Sequence, residues 1–499
     1  MLLYVRMLFL MLISLYTSRV ILNALGESDY GIYNVVGGVV LMFSVLSGSL
    51  SAAISRFITY ELGVGSVEKL KRVFSSSVTI QFGLAAIMVV LAETIGLWFV
   101  KNHMVIPAER MTAAIWVYQL SVVTFAVGLV SVPYNAAIIA HERMSAFAYI
   151  SIIEAVGKLV VAWAISINPI DRLVFFAIMV ALIAVVIRFI YGWYCKRYFE
   201  ECTYHFVYDH TLLKQMFGFA GWNFIGASSA VLRDHGGNIL INLFFGPTVN
   251  AARAIATRIN IAITSFVSNF MVALNPQITK SYANGDHEYM FKLIFQGARF
   301  SFYILLLLCL PVILNTHFIL VVWLKLVPEH TVEFVQLSLL FALCECVSSP
   351  LVTAMLATGR IRNYQIVVGG LQMMNLPVSW IFLYFGAAPE SVVIVAIFIS
   401  QCCLLARLIM LRGLIGLKAR AFMKSVCLNV LLVFVLASIL PYLISRLMPE
   451  GLACFAVVTF SSLTFTAVAV LWIGCSAEER VFVFSKVRQI KQKLTNDRY

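Results

Sequence analysis

Ionisable side chains fall inside stretches of this chain that are otherwise apolar: Arg19, Arg56, Glu154, Lys158, Arg233, Asp234, His235, Arg253, Arg258 and Glu345. A charge at such a place costs several kcal/mol unless it is paired or wet. Five of the set are arginines, whose planar, permanently charged guanidinium binds phosphate oxygens through two parallel hydrogen bonds. Arg19, Arg56, Arg233, Arg253 and Arg258 are therefore candidate ligands of a phosphate-bearing substrate, if their helices gather around one cavity. The competing reading for Arg19 and Arg253 is a side chain reaching to the nearer membrane surface.

The carboxylates are fewer. Glu154 and Lys158 stand one helical turn apart, a spacing that permits a local ion pair and, as the second reading, an ion-coupling role. Asp234 reads first as a counter-charge and second as a proton or sodium site. Its neighbour on the same helix points about 100° away, so a pair with Arg233 is not required. His235 could titrate near neutral pH, although a lone histidine more often fills a hydrogen-bonded niche. No residue set suggests catalysis or a resident metal. The cysteines, including Cys309, Cys344, Cys402 and Cys403, are scattered through apolar segments and contain no C-x-x-C pair.

The elements that must position these residues follow from composition. Of 499 residues, 62% are hydrophobic and only 12% charged, where a soluble domain carries about 25% charged residues. Repeated apolar runs of ~20 residues then read as transmembrane helices, about fourteen of them. The first run, from Leu2, is too long for a signal-peptide core and continues through Arg19, so it reads as a retained span. The expected fold is an all-α polytopic membrane protein. A net charge of +13 does not indicate nucleic acid, because the basic residues are dispersed over short loops rather than gathered in a patch. Lys69, Lys71, Arg72, Arg143, Lys196, Arg197, Lys280, Arg360, Arg362, Arg412, Lys418 and the tail after Arg480 fall on one side. That side is expected to be cytoplasmic, with both termini there.

An internal repeat divides the chain. Pro133 opens PYNAAIIAHERMSAFAYI and Pro350 opens PLVTAMLATGRIRNYQIV; at one constant offset Ala140 matches Ala357, Arg143 matches Arg360 and Trp163 matches Trp380. At a slightly longer offset Gly26 matches Gly246, Gly65 matches Gly285 and Glu68 matches Glu288. Each repeat holds six spans, an even number, so the halves insert in the same sense with a cavity expected between them. The expected divisions are a six-helix lobe over 1–200, a second over 212–424, two added spans over 425–475 and a basic tail over 476–499. Proline residues at or within spans (Pro133, Pro276, Pro311, Pro350, Pro377, Pro441) are candidate bends.

The segments NALGESDYGIYNVV, SRFITYELG, EKLKRVF, FFGPTVNAARAIATRI and ALNPQITKSYANGD, with the paired HER and TGR elements, resemble the Wzx-type polysaccharide flippases. These belong to the multidrug/oligosaccharidyl-lipid/polysaccharide (MOP) exporter superfamily, and the resemblance covers nearly the whole chain. It implies a fold like that of the multidrug and toxin extrusion (MATE) antiporters, with two lobes alternating between inward- and outward-open states. It also implies movement of undecaprenyl-pyrophosphate-linked oligosaccharide from the cytoplasmic to the periplasmic leaflet of the bacterial inner membrane, for O-antigen, capsule or exopolysaccharide. Arg19, Arg56 and Arg253 match the motif positions best placed for pyrophosphate. No cofactor is expected beyond coupling to H+ or Na+. The expected partners are the lipid-linked oligosaccharide and membrane lipids, with the polysaccharide polymerase and chain-length machinery as candidates.

Two other functions compete. A MATE-type drug or cation antiporter would favour an acidic, aromatic cavity, whereas arginines here outnumber central carboxylates. A membrane glycosyltransferase or polymerase would need a sizeable external loop, and none separates these apolar runs. Glu27 and Asp29 in the first external turn then read as a solvated acidic corner.

Overall fold

The computed structural model describes residues 6–481, apart from many positions among the first 43 and the short stretches 103–105, 166–170, 208 and 325–326. Every regular element among the described residues is helical. This is what a bilayer demands, since a helix satisfies its backbone N–H and C=O groups within one segment. Among the described residues ten helices are long and apolar enough to cross a membrane, and the bent pair Thr331–Cys346 and Ser349–Thr358, taken as one span, makes an eleventh. The Ser44–Val64 helix and the first part of the His210–Ala283 helix are more polar because they carry Arg56 and the Arg233–Asp234 pair. With the first apolar run, much of which lies outside the described residues, these give the expected total of about fourteen.

Local chemistry sets the helix limits. Asp171 caps the Arg172–Tyr198 helix, its carboxylate accepting from the N–H groups of Leu173 and Val174 at 3.1 and 3.2 Å. Asp209 caps the next helix through Leu212 N–H at 3.0 Å. That helix is continuous in hydrogen bonding but breaks at Gly246, whose φ of 81° and ψ of −174° belong to glycine.

The repeat is visible in the backbone. Gly65 and Gly285 both adopt positive φ, 81° and 75°, and each follows a helix at a matched position. The HER and TGR turns behave alike: Glu142 stands at φ 58° and its counterpart Gly359 at φ 72°. A glutamate in this region is uncommon, which marks the turn as held by contacts elsewhere. Gly26, the counterpart of Gly246, lies outside the described residues.

The chain packs as two compact units. The first comprises 1–228 with 272–287 and 356–366, and the second comprises 229–271, 288–355 and 367–499. In the first, Tyr118, Val117 and Ala114 form a buried core with Val100 and Leu173. The Tyr118 hydroxyl donates to Ala92 O at 2.7 Å, where the Val67–Asn102 helix widens into a π turn. In the second, the helices Ala419–Leu447 and Leu452–Gly474 pack on each other. They are tied to the His287–Leu314 helix by Tyr303, which donates to Asn429 Oδ1 at 2.5 Å, and by Arg299, which donates to Gly474 O at 3.1 Å and meets Glu479, beyond the last helix, at 2.7 Å.

In the first unit, Arg110 bridges two acidic residues, donating through Nε to Asp29 at 2.8 Å and through Nη1 to Asp171 at 2.5 Å. Burial opposes the charge on Asp171. The N–H groups of Val174 and Leu173 and the Arg110 guanidinium outweigh it and hold the carboxyl below its usual range. Stability from this group is therefore present above the ordinary carboxylate pKa and lost as pH falls through the lowered value. Arg110→Ala should lower the melting temperature at pH 7 by the equivalent of about 1 kcal/mol, since the pair is partly exposed. The difference from the parent should shrink as pH falls below the ordinary carboxylate range, as checked by thermal denaturation across pH.

A cationic cavity in the second unit

Arg233, Asp234, Asn238, Arg253, Thr257, Asn260, Phe341 and Asn375 line one cavity of about 370 Å³, closed on its apolar side by Ile261, Val392, Val393 and Ala396. Two segments of the His210–Ala283 helix, before and after the Gly246 break, supply most of the polar wall. Arg253, Thr257 and Asn260 follow one another at i, i+4 and i+7, and Asp234 and Asn238 at i and i+4, so each set shares a helix face.

The charges are unevenly satisfied. Arg233 is 14% exposed and Asp234 62%; the guanidinium donates to Oδ1 at 2.9 Å and Oδ2 at 3.4 Å. The Arg233 guanidinium carbon lies 5.1 Å from the centre of the Phe341 ring. Asp234 is thus a counter-charge to its chain neighbour, which tilts toward it despite the helical divergence. Arg253 has only a long bond from Nη2 to the carbonyl of Asp234 at 3.5 Å, and its buried Nη1 has no hydrogen-bond partner. Asn375, 1% exposed, leaves Nδ2 without a partner, as Asn260 does Oδ1. One formal positive charge and two orphaned donors therefore face this space.

Gly236 and Gly237 permit close approach here. A Cβ on Gly237 would lie 2.7 Å from Arg253 Nη2 and 2.9 Å from Nη1, and one on Gly236 would lie 2.5 Å from Leu376 Cδ2. Behind the cavity, Glu345 accepts from Ser400 Oγ at 2.5 Å and faces the Arg407 guanidinium at 3.7 Å; Arg407 is 2% exposed.

The remaining candidates lie elsewhere. Arg258 is exposed and does not line this cavity, because five residues along a helix rotate it about 140° from Arg253. The backbone of His235 is helical and its side chain lies outside the described residues, as does Arg19. Arg56 is in the first unit, donating through Nη2 to Ala357 O at 2.9 Å. Glu154 and Lys158 form the local pair their spacing allows, at 2.6 Å. They line a separate cavity of about 360 Å³ with Arg6, Thr17 and Ser151. Sequence reasoning missed Asn238, Asn260, Asn375, Arg6 and Arg407; the helical spacing of Arg253, Thr257 and Asn260 was the available signal.

Gly237→Ala should displace the Arg253 guanidinium, the flexible end of its side chain, and crowd Val392 Cγ1 at 3.1 Å, at a stability cost of about 1 kcal/mol. Titration with inorganic pyrophosphate should then show at least a tenfold loss of affinity with little change in melting temperature. Gly236→Ala, which meets a branched Leu376, should instead destabilise by about 1–3 kcal/mol.

The sequence matches no protein-family model and no curated protein. Solved structures do match. A MATE structure in the straight conformation superposes with a TM-score of 0.69 at 14% identity, covering 85% of this chain and 96% of its own. An outward-facing multidrug-resistance MATE family transporter of the MOP superfamily gives 0.68 at 13% identity, covering 85% and 96%. A MOP superfamily transporter from Pyrococcus furiosus, described as having a binding pocket of reversed polarity and a different function, gives 0.66 at 13% identity, covering 84% and 95%. At these identities the likeness establishes architecture: the chain has the all-helical MATE-type fold found in transporters of the MOP superfamily.

Proposed function

We propose that this multi-pass membrane protein is a transporter for an anionic, phosphate-bearing substrate, and specifically a flippase for undecaprenyl-pyrophosphate-linked oligosaccharide. The observation that carries this reading is the state of Arg253. It is a guanidinium within a cavity whose one lining carboxylate already serves Arg233, and it keeps a donor without a partner. Phosphate oxygens would supply what Arg253 Nη1 and Asn375 Nδ2 lack. A cavity of about 370 Å³ has room for a phosphate headgroup and none for a long lipid tail, which suits a substrate whose chain stays in the bilayer.

The fold supports a transporter, and it supports a MATE-type cation antiporter equally well. The charge balance of the cavity favours the anion, because Asp234 is neutralised before any cation arrives. The flippase would work in the bacterial inner membrane and serve surface-polysaccharide synthesis, with the polymerase and chain-length machinery downstream. Glu154, beside Lys158 and Arg6 in the other cavity, is the candidate carboxylate for H+ coupling; Asp234 is the candidate in this one.

Reconstitution into vesicles with a fluorescent undecaprenyl-pyrophosphate saccharide tests the reading. The parent should move the lipid between leaflets, and Arg253→Ala should slow it at least tenfold, equivalent to about 1.4 kcal/mol. Arg253→Lys should recover only part of the rate, having lost the fork. Movement of an organic cation instead, abolished by Asp234→Asn and insensitive to Arg253→Ala, would establish the antiporter.

A further inference from the structure

Arg56 points to a second device, independent of the substrate. The Ser44–Val64 helix, the HER turn after the Ala108–Ala140 helix, and the segments 272–287 and 356–366 all belong to the first unit. Along the chain, the last two segments are short returns flanked on both sides by residues of the second unit. Within the first unit, Arg56 Nη2 donates to Ala357 O, one of the final carbonyls of the Ser349–Thr358 helix. Such carbonyls have no intrahelical partner and carry the negative end of the helix dipole. The guanidinium is seated among Phe57, Tyr60 and Phe219, with ring centres 4.8, 4.7 and 5.7 Å away. Gly359 must be glycine here twice over: its φ is 72°, and a Cβ would lie 2.7 Å from Arg56 Nη2.

The mirror of this arrangement lies at the repeat-related turn. Glu142, the counterpart of Gly359, accepts from Lys280 Nζ at 2.8 Å and from Gln277 Nε2 at 3.3 Å. Lys280 is the repeat counterpart of Tyr60, one helical turn beyond the position matching Arg56. Gly63 and Ala283 are also counterparts, and they meet each other: a Cβ on Gly63 would lie 2.9 Å from Ala283 Cβ and 2.9 Å from Lys280 Cα. Contact between equivalent residues is the signature of a twofold axis.

We infer that these contacts form a pseudo-twofold clasp within the first unit, at its basic-loop end. Each of two equivalent helices sends a cation into the HER or TGR turn of the other half, around the Gly63–Ala283 contact. The unfavourable φ of Glu142 is held by its bonds to Lys280 and Gln277. Release of the clasp breaks both cation contacts and separates Gly63 from Ala283.

Gly63→Cys with Ala283→Cys, in otherwise native chain in membranes, tests the clasp. A disulfide needs Cβ atoms about 3.8 Å apart, so the two helix ends, with Lys280 Cα 2.9 Å from the added Cβ, must part by about 1 Å as the bond forms. The linked peptide, quantified by mass spectrometry after mild oxidation, should form rapidly. Adding Arg56→Ala should slow linkage at least tenfold and adding Glu142→Gln about threefold, with Arg56→Lys recovering part of the rate. Glu142 is partly exposed, so its variant carries the test if Arg56→Ala does not fold. Failure of the linkage to form, or a rate unchanged by Glu142→Gln and by every Arg56 variant that folds, would overturn the clasp.

Discussion

A guanidinium inside a bilayer protein must find a carboxylate, a carbonyl, an aromatic face or a wet cavity, because its charge does not leave it. That constraint organises this structure. Arg110 draws together Asp29 and Asp171, Arg407 faces Glu345 in the core of the second unit, and Arg188 stacks 3.9 Å from the ring centre of Tyr134. Arg56 takes a helix-end carbonyl and an aromatic seat. Of the two arginines lining the second unit's cavity, Arg253 has only a long contact to the Asp234 carbonyl and keeps a buried Nη1 without a hydrogen-bond partner.

Asp234 could have marked a cation site, but its oxygens are turned to Arg233. What remains for a ligand is donor capacity: Arg253 Nη1 and Asn375 Nδ2. Gly237 keeps the Arg253 guanidinium close to the helix bearing Asp234, where any larger residue would intrude. Position, charge and shape at this cavity thus depend on one another.

Much of the architecture was legible in the sequence, because hydropathy and helix length report membrane spans directly and the repeat carries glycine and proline at backbone positions that demand them. The positive φ at Gly65, Gly285 and Gly359 follows from that pattern. The site was legible only in part. Arg233 and Arg253 stood out as charges in apolar runs, whereas Asn238, Asn260 and Asn375 are unremarkable until three dimensions bring them together. Arg56 showed the limit most clearly: its charge was evident, but the carbonyl of Ala357, some three hundred positions away in sequence, was not.

The central claim is that the second unit's cavity receives an anion through Arg253. A structure determined with a bound undecaprenyl-pyrophosphate saccharide tests it most directly. Phosphate density is expected within hydrogen-bond distance of Arg253 Nη1 and Asn375 Nδ2, with the Arg233–Asp234 pair intact. A headgroup bound away from Arg253, or a cation bound at an Asp234 released from Arg233, would contradict it.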